Sequence, residues 1–156
     1  MRLPSAIVLA PLILSLAGCA GLVEGWRAPE VSLTGLRVKE LSLGHQTFLA
    51  TLAVRNPNDR ALPIESLTYA IELEGQELAT GSSRLERPIP AFGESQVETQ
   101  AQGSLLGVAQ YLPVLAVKEG PIAWRVSGKA LVAGLPVALP FSRSGQVDAD
   151  RLLGAL

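Results

Sequence analysis

A chain of 156 residues with 13 Lys+Arg against 14 Asp+Glu is long enough for one domain with its own core, and a net charge of −1 excludes nucleic acid as an electrostatic partner. About half of the residues are apolar, yet only two Trp, two Tyr and three Phe occur, so the core is expected to be mainly aliphatic. A single Cys leaves no disulfide framework, and a single His leaves little for a metal centre or a nucleophile with its base.

The first predicted element is a leader. Arg2 supplies a positive start, Ser5 to Leu16 form a mostly apolar run broken by Pro11, and small residues precede Cys19. That run is too short to span a bilayer comfortably. "LAGC" at 16–19 resembles the lipobox of bacterial lipoproteins, whose cysteine is acylated and becomes the new N-terminus after cleavage. The resemblance implies a signal peptide over 1–18, lipidation at Cys19 with fatty acyl chains such as palmitate, and a membrane as partner through that lipid. Two or three chains hold a protein stably where one does not. An ordinary secretory signal with an incidental cysteine, and a buried apolar Cys in an unprocessed chain, are the other readings of the same residues. Ala20 stands where an aspartate signals inner-membrane retention in Gram-negative bacteria, which implies the periplasmic face of the outer membrane in such a host.

Residues 19–30 contain "AGLVEGWRAPE" and have no periodicity, which reads as a tether. Trp26 is expected either at the membrane interface or packed on the base of the domain. From Val31 the period becomes two, with Val31 and Leu33 in one phase and Leu36 and Val38 in the next, so a bulge is expected at Gly35. "QTFLATLAVRN" then places Phe48, Ala50, Leu52 and Val54 on one face, and "LTYAIELEG" places Leu67, Tyr69, Ile71 and Leu73 inward. Gly75-Gln76 reads as a hairpin turn into "ELATGSSRLERPI", and "ESQVETQAQG" at 94–103 as a polar, edge-facing strand.

Ser104 can cap a short helix over 105–116, where Leu105, Val108, Ala109 and Leu112 fall at helical spacing and Pro113 bends or shortens it. Alternation returns at Ile122, Trp124 and Val126, and again at Leu135, Val137, Leu139 and Phe141, with Ala133-Gly134 between. About seven strands and one short helix describe an all-β domain over 31–147, followed by a tail at 148–156, and this spacing is the signature of a two-sheet sandwich.

Asn56-Pro57-Asn58 interrupts the pattern. Pro57 cannot donate to a sheet ladder, so the strand from Gln46 must stop there, and the asparagine amides can bond the neighbouring backbone as an Asx-type turn. Asn58-Asp59 are expected to reverse the chain in the left-handed region, and Pro63 to hold 61–64 extended along the sheet edge. Asn56, Asn58 and Asp59 as metal ligands are the weaker reading, because no spaced set of further carboxylates accompanies them. The motif is therefore assigned a structural role, with no metal.

"VRNPNDRALPIESLTYAIELEGQELATG" resembles the core of the LEA type 2 family, also called the WHy (water stress and hypersensitive response) domain. Asn56-Pro57-Asn58, Leu62-Pro63-Ile64, Tyr69, Gly75 and Gly81 carry the resemblance, which extends over about 31–147. It implies an Ig-like or fibronectin-III-like β-sandwich, an association with desiccation and stress, and frequent lipoprotein anchoring in bacteria. Its implied partners are stress-labile client proteins or lipids.

The catalytic inventory is poor. His45 reads as a turn residue, Glu65, Glu72, Glu74 and Glu77 as outward strand and hairpin positions, and Arg84 and Arg87 as a solvated edge. No enzyme and no cofactor is expected. A protective envelope protein is the first expectation; a lipid or apolar-ligand module, or a structural subunit of an envelope complex, is the alternative.

Overall fold

The computed structural model describes residues 25–104, 106, 107, 109, 113 and 120–148. The strands are β1 (Glu30–Leu41), β2 (Gln46–Arg55), β3 (Ile64–Leu73), β4 (Gln76–Arg84), β5 (Glu94–Gly103), β6 (Ile122–Val132) and β7 (Leu139–Val147). Every pairing is antiparallel, in the order β1-β2-β5-β4-β3-β6-β7. The strands form one continuous curled sheet rather than two separate ones. β4 and β5 share only three pairs, Ala79 with Gly103, Thr80 with Gln102 and Gly81 with Ala101, while the other ladders are about three times as long. The curl brings the outer strands together, and Arg143 on β7 donates to the Glu30 carboxylate on β1 at 2.8 Å.

Period-two alternation decides the burial. Phe48, Ala50, Leu52 and Val54 on β2 and Leu67, Tyr69, Ile71 and Leu73 on β3 are all buried, facing one core. On β1 the ladder slips between Leu33 and Gly35, where the phase of the apolar residues changes, and again between Val38 and Glu40. Val38, expected inward, is about half exposed beside this second slip.

The β3–β4 turn falls one residue earlier than the sequence indicated. Leu73 pairs with Gln76, leaving Glu74 and Gly75 as a two-residue loop with φ of 51° and 77°. Two successive positive φ values make the hairpin turn whose twist matches the flanking strands. Glu74 tolerates the conformation because its carboxylate accepts from the Ala123 amide at 2.6 Å, while its own amide donates to the Ala123 carbonyl. β7 also differs from expectation. It begins at Leu139, and Leu135 and Val137 lie in the preceding loop, where Gly134 has φ of 81°.

Ser104 Oγ accepts from the Gly107 amide at 2.9 Å, the capping bond expected of it. Residues 106, 107, 109 and 113 are helical. The rest of the 105–116 stretch lies outside the described residues.

One row crosses the sheet with a size pattern that no single strand reveals. The registers place Phe48, Ala101, Gly81, Tyr69, Gly128 and Phe141 side by side on β2, β5, β4, β3, β6 and β7. Three buried rings therefore alternate with small residues. The glycines keep close approaches open: a Cβ on Gly128 would strike the Thr68 carbonyl of the neighbouring strand and lie 2.9 Å from the Phe141 ring, and one on Gly81 would run into the Tyr69 phenol. A curled sheet with few aromatics thus fills the middle of its core with three of them.

Candidate functional site

Three segments meet at the asparagine-proline stop at one end of the sheet: the incoming chain, the β2–β3 loop and the β4–β5 loop. β2 ends at Arg55, and Asn56, completely buried, turns its amide into the space the ladder vacates. Its Nδ2 lies 2.8 Å from the Arg60 carbonyl, 3.0 Å from Pro90 O and 3.1 Å from Ile89 O, so two protons serve three acceptors. Its Oδ1 accepts from the Asn58 amide at 2.9 Å, closing an Asx turn, and from Asn58 Nδ2 at 2.8 Å. Asn58 passes the connection on: its Oδ1 accepts from the Arg27 amide at 2.8 Å and its Nδ2 donates to Arg27 O at 3.0 Å. The side chain imitates the backbone of a neighbouring strand.

This arrangement ties the incoming chain, the β2–β3 loop and the β4–β5 loop together. Leu62 and Ile89 complete it with two mutual backbone bonds, at 2.8 and 3.0 Å. The chain reverses without the left-handed conformation expected at Asn58-Asp59, because the Asx turn bends it at ordinary φ; among the described non-glycine residues only Glu74 and Phe92 have positive φ. The stretch expected as a tether is already gripped at its end. Arg27 is held by Asn58, and Trp26 packs against the core with the Arg60 guanidinium 4.1 Å from its ring centre.

The asparagine oxygens are spent on amide donors, which leaves Asn56 and Asn58 unsuited to a metal. Among the described residues no group of three His, Cys, Asp or Glu could hold one. His45 sits in an exposed turn where Ser42 Oγ accepts from its amide at 3.2 Å. Glu72 stands 3.7 Å from Arg125, Glu74 caps the Ala123 amide, and Glu65 and Glu77 are exposed, so these carboxylates do not converge. Arg84 and Arg87 line an open cleft of about 390 Å³ with Leu85, Val97 and Glu98. Cys19 lies outside the described residues.

Tyr69 and Gly81, singled out by the sequence, meet where β4 leaves β5. The Tyr69 hydroxyl lies 3.3 Å from Thr99 Oγ1 and 3.4 Å from Gln100 O, and Thr99 Oγ1 donates to Ser82 O at 3.2 Å. Side-chain hydroxyls thus stand in where the short ladder stops. Burial raises the Tyr69 pKa above 10.0, against a smaller opposing effect of the Thr99 hydrogen bond.

Exposed large apolar side chains gather at the two ends of the sheet. At the end where the chain enters, Phe92 is 64% and Val137 48% exposed; at the opposite end Leu41 is 54%, Leu43 91% and Leu106 69% exposed. Sequence reasoning missed this division: Val137 alternates with Leu139 and Phe141 and reads as inward, while Leu41, Leu43, Phe92 and Leu106 were not singled out. The described clefts are open, such as one of about 590 Å³ lined by Thr68, Tyr69, Thr80, Gly81, Ser82 and Gln100.

The site is thus an end of an all-β domain braced by two buried asparagines, with exposed apolar side chains at its tips. The model of the late embryogenesis abundant (LEA type 2) family matches residues 51–145, more than half of the chain, and the chain belongs to that family. It is 24% identical over 131 residues to a soybean (Glycine max) protein named "Desiccation protectant protein Lea14 homolog", covering 80% of this chain and 83% of that one. The solution structure of a protein from Arabidopsis thaliana is similar in fold, with a TM-score of 0.53, 18% identity, and coverage of 81% of this chain and 87% of that one.

Proposed function

We propose that this is a lipid-anchored envelope protein that protects other proteins during water loss and catalyses no reaction. Its membership of the LEA type 2 family carries the reading, and the soybean relative described as a desiccation protectant gives it direction. The exposed Leu41, Leu43 and Leu106 supply a physical means: a small apolar patch gives weak contact with partly unfolded clients at the end of the domain away from the entering chain. "LAGC" supports anchoring through Cys19, and Ala20 supports the periplasmic face of the outer membrane in a Gram-negative host. The fold reading extends the same way. β1-β2-β5 and β4-β3-β6-β7, hinged at the three-pair joint, fit the two layers of an Ig-like or fibronectin-III-like sandwich.

The test is to dry a labile enzyme with the purified protein and with equal masses of albumin and an unrelated β-sandwich. Greater recovery than with either control is expected. Equal recovery, with a stoichiometric lipid in the protein's mass spectrum, replaces protection by lipid binding. Anchoring is tested separately: Cys19→Ser is expected to leave a larger, unprocessed protein, and normal cleavage with unchanged membrane fractionation refutes it.

A further inference from the structure

The end of the domain at which the chain enters carries a set of features with no role in the protective reading. The β4–β5 loop makes a turn in which the Gly93 amide donates to Pro90 O at 2.9 Å and Phe92 is held at φ of 55°. The left-handed region disfavours a bulky side chain. Here it is fixed by the Phe92 amide, which donates to Asn58 O at 3.0 Å. The consequence is a phenyl ring pushed outward, 64% exposed, on a loop whose base is the buried Asn56. Val137, at the tip of the β6–β7 loop, projects from the same end. That loop is fixed in its turn by the Ala133 amide, which donates to Pro63 O at 2.9 Å.

We propose that this end lies on a phospholipid bilayer, with Phe92 and Val137 entering the interface and Arg27 and Arg87 beside lipid phosphates. The inference rests on acylation of Cys19. From Cys19 to Gly25 the chain spans at most about 20 Å. Arg27 is clamped to Asn58, so an anchored chain delivers this end, and no other, to the membrane surface. An attached anchor makes docking intramolecular, so weak insertion by two side chains suffices to orient the domain. Arg27, Arg60 and Arg87 are exposed there, with Asp59 and Glu86 as the facing acids in the same loops, so apolar insertion rather than net charge dominates. Trp26, under the Arg60 guanidinium, sits at the level an amphipathic ring occupies in a membrane interface. Docked in this way, the domain turns Leu41, Leu43 and Leu106 away from the lipid.

The experiment uses the full-length protein reconstituted in vesicles of phosphatidylethanolamine and phosphatidylglycerol. Phe92→Cys, Val137→Cys and, at the opposite end, Leu43→Cys each carry a nitroxide, and the intact mass reports acylation of Cys19 in the same preparation. Labels at 92 and 137 are expected to be several-fold less accessible to a water-soluble nickel complex than the label at 43, and more accessible to oxygen. Equal water exposure at all three positions with Cys19 acylated overturns the docking while leaving the anchor intact. Immersion of the label at 43 instead reverses the orientation and also overturns it. An unacylated Cys19 removes the anchor, and with it the basis for placing this end on lipid.

Discussion

At the scale of single residues, Asn56 concentrates more of the architecture than any other polar side chain described. Removing its amide takes a donor from the carbonyls of Arg60, Ile89 and Pro90, of which Ile89 O keeps the Leu62 amide and Pro90 O the Gly93 amide, and takes the shared acceptor from both donors of Asn58. Asn56→Ala is therefore expected to lower stability by about 2–4 kcal/mol, read from urea unfolding followed by the fluorescence of buried Trp124. Asn56→Asp separates hydrogen bonding from shape. A carboxylate there would face three carbonyl oxygens, so the folded state holds the introduced group protonated and raises its pKa above the unfolded value of about 3.9. Stability of that variant is then greatest below about pH 4 and falls as pH rises toward the folded pKa; a pH-independent loss would contradict the geometry. Tyr69 has the same sign at alkaline pH. Its folded pKa is raised above 10.0, so its contribution is complete below the unfolded value and is lost as pH rises through the folded one. Tyr69→Phe is expected to cost about 1 kcal/mol at neutral pH and to flatten the alkaline decline measured by thermal unfolding.

The elements were legible to different degrees, and the reason is physical. Where one face is buried and the other is wet, as in β2 and β3, alternation names the buried residues directly. It fails where two alternating residues lie in a loop, as Leu135 and Val137 do before β7, because period two records side-chain order and not ladder bonds. The polar segment 94–103 read as an edge. β5 in fact pairs with β2 along nearly its whole length, and only its side toward β4 lacks a ladder over 94–100. No pattern within one strand discloses that Gly81 must stay small for a ring on β3. Gly81→Ala tests the joint, since an added Cβ would collide with the Tyr69 phenol and come within 2.9 Å of Gln100 O. A loss of about 2–4 kcal/mol is expected, with faster amide exchange at Thr80 and Gln102, the central pair between β4 and β5. Unchanged exchange there would place the strain elsewhere.

For the whole molecule, the stop at Asn56, Pro57 and Asn58 was visible in the sequence, but what it organises was not. The proline stop and the amide chemistry were readable, whereas the partners Arg27, Ile89 and Pro90 are some thirty residues away and become neighbours only in the fold. The same holds for the two apolar ends, because Leu41 and Leu43 come to the same end of the sheet as Leu106 only once β1 pairs with β2 and β2 with β5. Under the proposals made above, the two ends of the braced domain differ in task, one toward lipid and one toward clients. The central claim is that protection works through the apolar end opposite the entering chain. The most direct measurement is enzyme recovery after drying with the native protein and with the variant Leu41→Ser/Leu43→Ser/Leu106→Ser, each compared with albumin and each checked for an unchanged unfolding midpoint. The account predicts that the variant, still folded, loses most of the recovery by which the native protein exceeds albumin; undiminished protection by the folded variant would contradict it.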